Sequence, residues 1–334
     1  MHAGTFFLQR LKSSFAFLFL TSLIIIGACG SSAYAAYPDR PIRLVVGFAP
    51  GGANDIIGRL IAKELTTDLG VSVVVENKPG ASSNIGTAFV AHSAPDGYTL
   101  FLASLNNAIN QSLYHKLPFN FVHDFSPIAL IATMPNILVV NSASPYHSVK
   151  ELVAYGKAHP DRLTFASSGT GTSLHLAGEL FKIQAGIKMV HIPYKGSALA
   201  MTDLLGGRVD LMFDNLISSI SNIKAGKLRA LAIASPQRSP SLPNIPTMAE
   251  SGYPKFDVSS WFGVLAPRNT PPSIIQKINA SVGKALKNPE MTKKLEQLGA
   301  TPQAMTPQAF GDFIKSQVAK WRTVIQAAGV TAAS

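Results

Sequence analysis

From Pro41 to Ala234 the chain alternates short apolar runs with amphipathic ones, and few folds accept that order. Residues 42–47, 72–76 and 98–103 have the length and content of buried strands, and residues 55–69 and 84–92 carry helical periodicity between them. A β-α-β-α-β series implies a parallel sheet with right-handed crossovers. A second series follows, with helices over 149–158, 174–185, 198–205 and 217–224, and strands over 163–166, 189–192, 209–213 and 228–234. Between the two lies a long apolar stretch, 127–140, broken only by Pro135 and Asn136, as suits a strand passing from one domain to the next. The Pro-rich stretch 235–254 reads as loop, 258–266 as a returning strand, and 272–286, 289–298 and 307–328 as helices with Pro near their starts. A chain that leaves one domain and comes back implies two crossings and a hinge.

Two glycine-rich turns join strand to helix in the two series. The first is Gly47-Phe48-Ala49-Pro50-Gly51-Gly52, followed by Asp55; the second is Ser167-Ser168-Gly169-Thr170-Gly171-Thr172, followed by His175. Such a turn presents unpaired N–H groups and the positive end of the helix dipole, which suits an anion. Gly51 and Gly52 allow close approach of backbone to ligand, and the hydroxyls of Ser167, Ser168, Thr170 and Thr172 add donors without net charge. Asp55 fits a helix-start role that stabilises the loop, and His175 fits either packing beside its loop or ligand contact. Ser104, Asn106 and Asn107 follow the third strand, at the carboxyl edge where ligands of such sheets sit. Tyr194 follows the strand at 189–192, Lys195 beside it reads as solvent-facing, and Asp214 with Asn215 closes the strand at 209–213. Phe48, Ala49, Gly51, Gly52, Asp55, Ser104, Asn106, Ser167, Ser168, Gly169, Thr170, Thr172, His175, Tyr194 and Asp214 are therefore the expected ligand-binding set.

Residues 1–36 have the composition of an export signal: Arg10 and Lys12, an apolar run from Phe15 to Ile26, and Ala33-Tyr34-Ala35 as a cleavage site. The run is shorter than the roughly 20 residues that span a bilayer. Ile26-Gly27-Ala28-Cys29 offers an alternative, a lipobox with Cys29 as a lipidated N-terminus. Cys29 is the sole cysteine, so cleavage at Ala35 leaves a mature chain without thiols or disulfides. Of the net charge of +11, Arg10 and Lys12 supply two, leaving +9 on the mature chain. Its basic residues are scattered, many on the C-terminal helices (Lys277, Lys284, Lys287, Lys293, Lys294), which argues for a solvated surface and against a nucleic-acid partner. No G-x-S-x-G elbow, Walker lysine or H-E-x-x-H appears, and the histidines lack metal-ligand spacing, so neither a metal nor a cofactor is expected.

Longer motifs then become informative. Tyr37-Pro38-Asp39-Arg40-Pro41-Ile42 leading into Pro50-Gly51-Gly52-x-x-Asp55 is joined by Val75-Glu76-Asn77-Lys78-Pro79-Gly80-Ala81 and Pro95-Asp96-Gly97-Tyr98-Thr99-Leu100. His191-Ile192-Pro193-Tyr194-Lys195-Gly196, Gly206-Gly207-Arg208-Val209-Asp210 and Trp261-Phe262-Gly263 follow in order. In this combination the chain resembles the Bug family, substrate-binding receptors of tripartite tricarboxylate transporters. Gly47 stands where that family often has Pro, a departure that touches only loop stiffness. The resemblance implies a type II periplasmic binding protein fold, with α/β lobes joined by two crossing strands and closing on a small carboxylate. On that basis residues 37–136 with 262–334 form one lobe and 137–261 the other. The implied partners are a small organic anion and integral membrane transporter subunits, for a monomeric periplasmic receptor. Two alternatives stay open: a sensor feeding a two-component system, and an exported α/β hydrolase using Ser168 and His175.

Overall fold

The opening alternation produces parallel pairing. In the computed structural model, which describes residues 37–114, 116–328 and 330–331, β1 (Ile42–Val46) lies between β2 (Val73–Asn77) and β3 (Thr99–Ser104), parallel to both. The export segment, with Cys29, lies outside the described residues. The crossovers are α1 (Ala53–Leu69) and α2 (Asn84–Ala91). Helix α1 buries Ile57, Ile61 and Leu65 along one stripe and stops at Gly70, whose φ of 72° suits a left-handed C-cap. Gly58 brings α1 onto the sheet: a Cβ there would sit 3.1 Å from Val46 and 3.4 Å from Leu102.

After β3 comes α3 (Leu105–Leu113), absent from the sequence reading, and then the 17-residue β4 (Phe125–Asn141). The second series supplies α4 (Val149–Ala158), β5 (Leu163–Ser167), α5 (Ser173–Ala185), β6 (Met189–Pro193), α6 (Ser197–Leu205), β7 (Leu211–Asn215), α7 (Leu216–Lys224) and β8 (Leu228–Ile233). The chain returns as β9 (Ser259–Pro267) and ends in α8 (Pro272–Ala285), α9 (Pro289–Gln297), the short β10 (Thr301–Pro302) and α10 (Pro307–Ala328). The elements expected from sequence are all present, their ends moved by no more than two residues.

The sheet order is β2-β1-β3-β9-β4-β7-β5-β6, with β8 and β10 also pairing to β4. Strand β4 changes partners part-way along. Through Pro135 it pairs antiparallel with β9; from Asn136 onward it pairs with β7 and β8. Proline has no N–H to give a ladder, so Pro135 is a natural place for the partners to change. Across the change, the Asn136 N–H donates to Val258 O at 3.3 Å and Asn136 O accepts from the Ala234 N–H at 2.7 Å. The sheet thus has two segments, one built on β1–β3 and β9 and the other on β5–β8, with β4 common to both.

One apolar cluster runs through both segments, from Phe101 and Phe125 to Phe165, Phe181 and Phe213. Helix α10 adds Phe310, Ile314, Val318, Trp321 and Ile325 from a single face, and Phe310 meets Trp261 of β9 edge-on at 5.8 Å. That contact depends on Gly263. A Cβ there would lie 2.2 Å from the Phe310 ring and 2.8 Å from Ala129 O. Gly263→Ala is expected to cost about 1–3 kcal/mol of stability, seen as a lower melting temperature by circular dichroism. An unchanged melt would show that α10 yields without strain.

Candidate functional site

A cavity of about 260 Å³ opens where three small-residue turns meet. They are the β1–α1 loop, the segment between β2 and α2, and the β5–α5 loop. Phe48, Gly80–Ser83, Tyr114, Ser168–Thr170 and Pro193–Lys195 line it. Phe48, Ser168, Gly169, Thr170 and Tyr194 belong to the set expected from sequence.

The β1–α1 loop is held from within. Asp55 accepts from the Gly51 N–H at 3.0 Å, from Arg59 Nε at 2.9 Å and from Asn77 Nδ2 at 3.0 Å, and Asn77 Nδ2 also bonds Phe48 O at 2.9 Å. Burial pushes the Asp55 carboxyl up, but the hydrogen bonds from Arg59, Gly51 and Asn77 outweigh it and hold the carboxyl below its ordinary value. The Gly51 N–H, expected from the sequence to be offered to a ligand, is bonded to Asp55 in this structure. Gly51, at φ +89°, serves the turn itself. Ala49 and Gly52 face α6 instead of the cavity. A Cβ built at Gly196 would lie 3.2 Å from the Ala49 Cβ, and one built at Gly52 would lie 2.8 Å from Ser197 Oγ.

The segment after β2 is the part that sequence reasoning missed. Gly80, Ala81, Ser82 and Ser83 all have positive φ (132°, 45°, 52° and 81°), a run that costs non-glycine residues about 1–2 kcal/mol each. Helix α3 supplies the restraint. Asn110 Nδ2 donates to Ser82 O at 2.8 Å and Asn107 Nδ2 to Ser83 Oγ at 3.3 Å. Within the turn, Thr87 Oγ1 donates to Ser83 O at 2.8 Å. The carbonyls are thus engaged, while the N–H groups of Ala81 and Ser82, at the start of the 3-10 turn 81–83, find no acceptor among the described residues. Successive unpaired N–H groups of this kind form an anion-binding concavity. The signal was in the chain: Gly80-Ala81-Ser82-Ser83 is a third small-residue turn running from strand to helix, like the other two.

In the β5–α5 loop the groups divide by task. Ser167 is fully buried and bonds the Gly169 N–H at 3.1 Å and His191 Nε2 at 2.7 Å. Thr172 is an N-cap, bonding the His175 N–H at 3.3 Å and Gly169 O at 2.8 Å. His175 accepts the Gly171 N–H on Nδ1 at 3.1 Å, which leaves its proton on Nε2, 3.6 Å from Glu179. Its ring stacks on His191 at 4.0 Å. Burial, with His175 alongside, pushes His191 down to about 3. Burial would raise Glu179, but His175 and Lys182 overcome it and bring the carboxyl down to about 2. Ser167, Thr172 and His175 therefore brace the loop and do not line the cavity. Among the described residues the Ser168 hydroxyl has no hydrogen-bond partner, and Ser168 lines the cavity. Tyr194 turns its hydroxyl away to Asp203 at 2.6 Å and leaves its ring in the wall.

Three more expected residues lie behind the cavity. Ser104 and Asn107 form the capping box of α3. Asn106 Oδ1 accepts the N–H of Ser173, the first residue of α5, at 2.6 Å. Asp214 is fully buried at the β7–α7 junction, bonded to Ser219 Oγ at 2.8 Å, and burial pushes its carboxyl up to about 7. It too is placed outside the cavity lining. Beside it Asn215, Asn136 and Ser260 share bonds of 2.6–3.1 Å where β4 changes partners. Across the cavity, Ser82 Oγ and the Tyr114 hydroxyl both donate to Thr170 O, the latter at 3.4 Å. No group of three or more His, Cys, Asp or Glu among the described residues could hold a metal.

A mixed α/β sheet with a long strand common to two segments, and a small polar cavity among facing turns, is the build of a periplasmic solute-binding protein. Residues 57–330 match the tripartite tricarboxylate transporter family receptor, and the chain belongs to that family. It is a solute-binding receptor of this kind and not an enzyme. Protein BugT of Bordetella pertussis (strain Tohama I) is 40% identical over 295 residues, covering 88% of this chain and 90% of BugT. The solved structure "R. palustris Rpa4515 with adipate" shares 38% identity with a TM-score of 0.86, covering 88% of this chain and 99% of that one. "MatC (Rpa3494) from Rhodopseudomonas palustris with bound malate" shares 33% identity at a TM-score of 0.83, covering 86% and 100%.

Proposed function

We propose that this receptor captures a small carboxylate in the cavity and delivers it to the membrane subunits of a tripartite tricarboxylate-type transporter. The observation that carries the reading is the chemistry of the lining: the N–H groups of Ala81 and Ser82 and the Ser168 hydroxyl, all without a partner among the described residues, and no acidic side chain among the lining residues. Neutral donors of this kind hold a carboxylate without the desolvation of a buried cation. Adipate in one relative and malate in another support the ligand class.

The two sheet segments act as lobes, 37–136 with 262–334 and 137–261, hinged where β4 changes partners. A ligand touching both the Ala81–Ser83 turn and the Ser168–Thr170 loop favours the closed arrangement because it binds only there in full. Export by the N-terminal signal places a monomeric receptor in the periplasm, where membrane subunits read the closed surface.

The test is a thermal-shift panel on the chain from Tyr37 onward, using mono-, di- and tricarboxylates, aromatic acids and amino acids. A ligand at 100 times its Kd adds about 2.7 kcal/mol, several degrees in a chain of this size. A flat response from every carboxylate, beside a cooperative control melt, would overturn the carboxylate reading.

A further inference from the structure

Four cations on the elements that form the cavity are paired with carboxylates. Arg59 pairs with Asp55 at 2.9 Å, Lys78 with Glu76 at 2.6 Å, Lys182 with Glu179 at 2.8 Å and Arg208 with Asp203 at 2.7 Å. Lys195 lines the cavity, is exposed, and has no carboxylate partner among the described residues. It is also the one charged residue in the lining. Its neighbour Tyr194 faces the β5–α5 loop, bonding Ser167 O through its N–H at 3.0 Å. Asp203, the acid nearest in the bonding pattern, is spent on the Tyr194 hydroxyl and Arg208.

A monocarboxylate would be served by the neutral donors alone, with the exposed Lys195 ammonium left to water. A ligand with a second anionic group satisfies both. We propose that Lys195 is a specificity-determining residue, selecting dianionic ligands over monoanions of the same length. The inference rests on the carboxylate reading above. A cavity of about 260 Å³ falls below the range that encloses drug-sized ligands, so the chain between the two anionic groups is a few carbons long. An ammonium is a compact point charge on a flexible stem, so it sets charge and tolerates chain length.

Isothermal titration with adipate and hexanoate tests this, because the two have six carbons each and differ by one carboxylate. Wild type is expected to prefer adipate at least about tenfold, or 1.4 kcal/mol, and the margin should shrink in 500 mM salt. Lys195→Met should lose most of that preference, chiefly through weaker adipate binding, and Lys195→Arg should keep it. An equal preference in Lys195→Met, or none in wild type, would overturn the role of Lys195 alone. If wild type binds neither acid nor any other carboxylate of the panel, the carboxylate reading falls and this inference with it.

Discussion

Gly52→Val is expected to weaken carboxylate binding about 100-fold while leaving the unliganded melt within about 2 °C of wild type. Gly52 has φ −88°, so the backbone accepts a side chain, and the damage comes from what the side chain meets. A Cβ there would sit 2.8 Å from Ser197 Oγ and 3.9 Å from the Ser197 N. Ser197 is buried and opens α6, on the other sheet segment. One methylene can be absorbed by turning the Ser197 hydroxyl, so Gly52→Ala should cost less than about tenfold. Two further methyls leave no such exit and wedge the β1–α1 loop away from α6. Overpacking of that kind costs about 1–3 kcal/mol, charged here to the closed arrangement alone. A reduced closed fraction raises the apparent Kd by the same factor, so about 2.7 kcal/mol appears as 100-fold. Titration of the variant with the best ligand of the panel decides the matter. Native circular dichroism with unchanged Kd would remove this contact from the closing mechanism.

Legibility in the sequence followed what is local. Alternating strands and helices were readable because β1, β3, β5, β7 and β8 are largely buried runs, while β2 and β6, at the ends of the sheet order, are half-exposed but keep a short valine-containing strand composition. The long 127–140 stretch announced a shared strand, though only the structure shows that Pro135 marks its change of partners. Helix α3 was missed for a physical reason. Its sequence, Leu105-Asn106-Asn107-Ala108-Ile109-Asn110-Gln111-Ser112-Leu113, carries three asparagines that disfavour an isolated helix. In the fold each has a distant use: Asn106 holds α5, while Asn107 and Asn110 hold the left-handed turn at 80–83. Tertiary hydrogen bonds override the propensity, and propensity was all that could be read.

The candidate site shows the same division. Glycine turns were visible, but which donors they leave free was not, since that depends on which side chain takes them first. Asp55 takes the Gly51 N–H, and His175 takes that of Gly171. What remains free among the described residues lies at Ser168 and at Ala81 and Ser82, and the latter turn becomes apparent only once β2 and α2 bring it to the cavity.

The stability contributed by Asp214 should fall as pH rises from about 4 to about 7. Its carboxyl lies in the interior with Ser219 and the Asn215 N–H as its partners, and Oδ1 has none. Burial outweighs those bonds and lifts the carboxyl from 3.8 to about 7. In the unfolded chain Asp214 loses its proton near the ordinary value, while the native chain keeps it until about 7. At this carboxyl the native state therefore holds more proton across that window, so its contribution is full below about 4 and lost as pH climbs. At 1.36 kcal/mol per unit the swing reaches about 4 kcal/mol. His191, held down at about 3, and Glu179, at about 2, have the opposite sign and give stability that is lost as pH falls, but they act alike in wild type and in an Asp214 variant and cancel from the difference between the two. Asp214→Asn removes the titration and keeps an acceptor for Ser219. Its amide nitrogen lies where Oδ1 is unpartnered, at a cost of about 1–3 kcal/mol. The variant should accordingly be less stable than wild type at pH 4 and more stable at pH 8. Urea unfolding at both pH values measures the crossover. A difference between the two proteins that stays constant over that range would mean Asp214 is ionised in the native fold, its charge answered by buried water or by neighbours moving toward it.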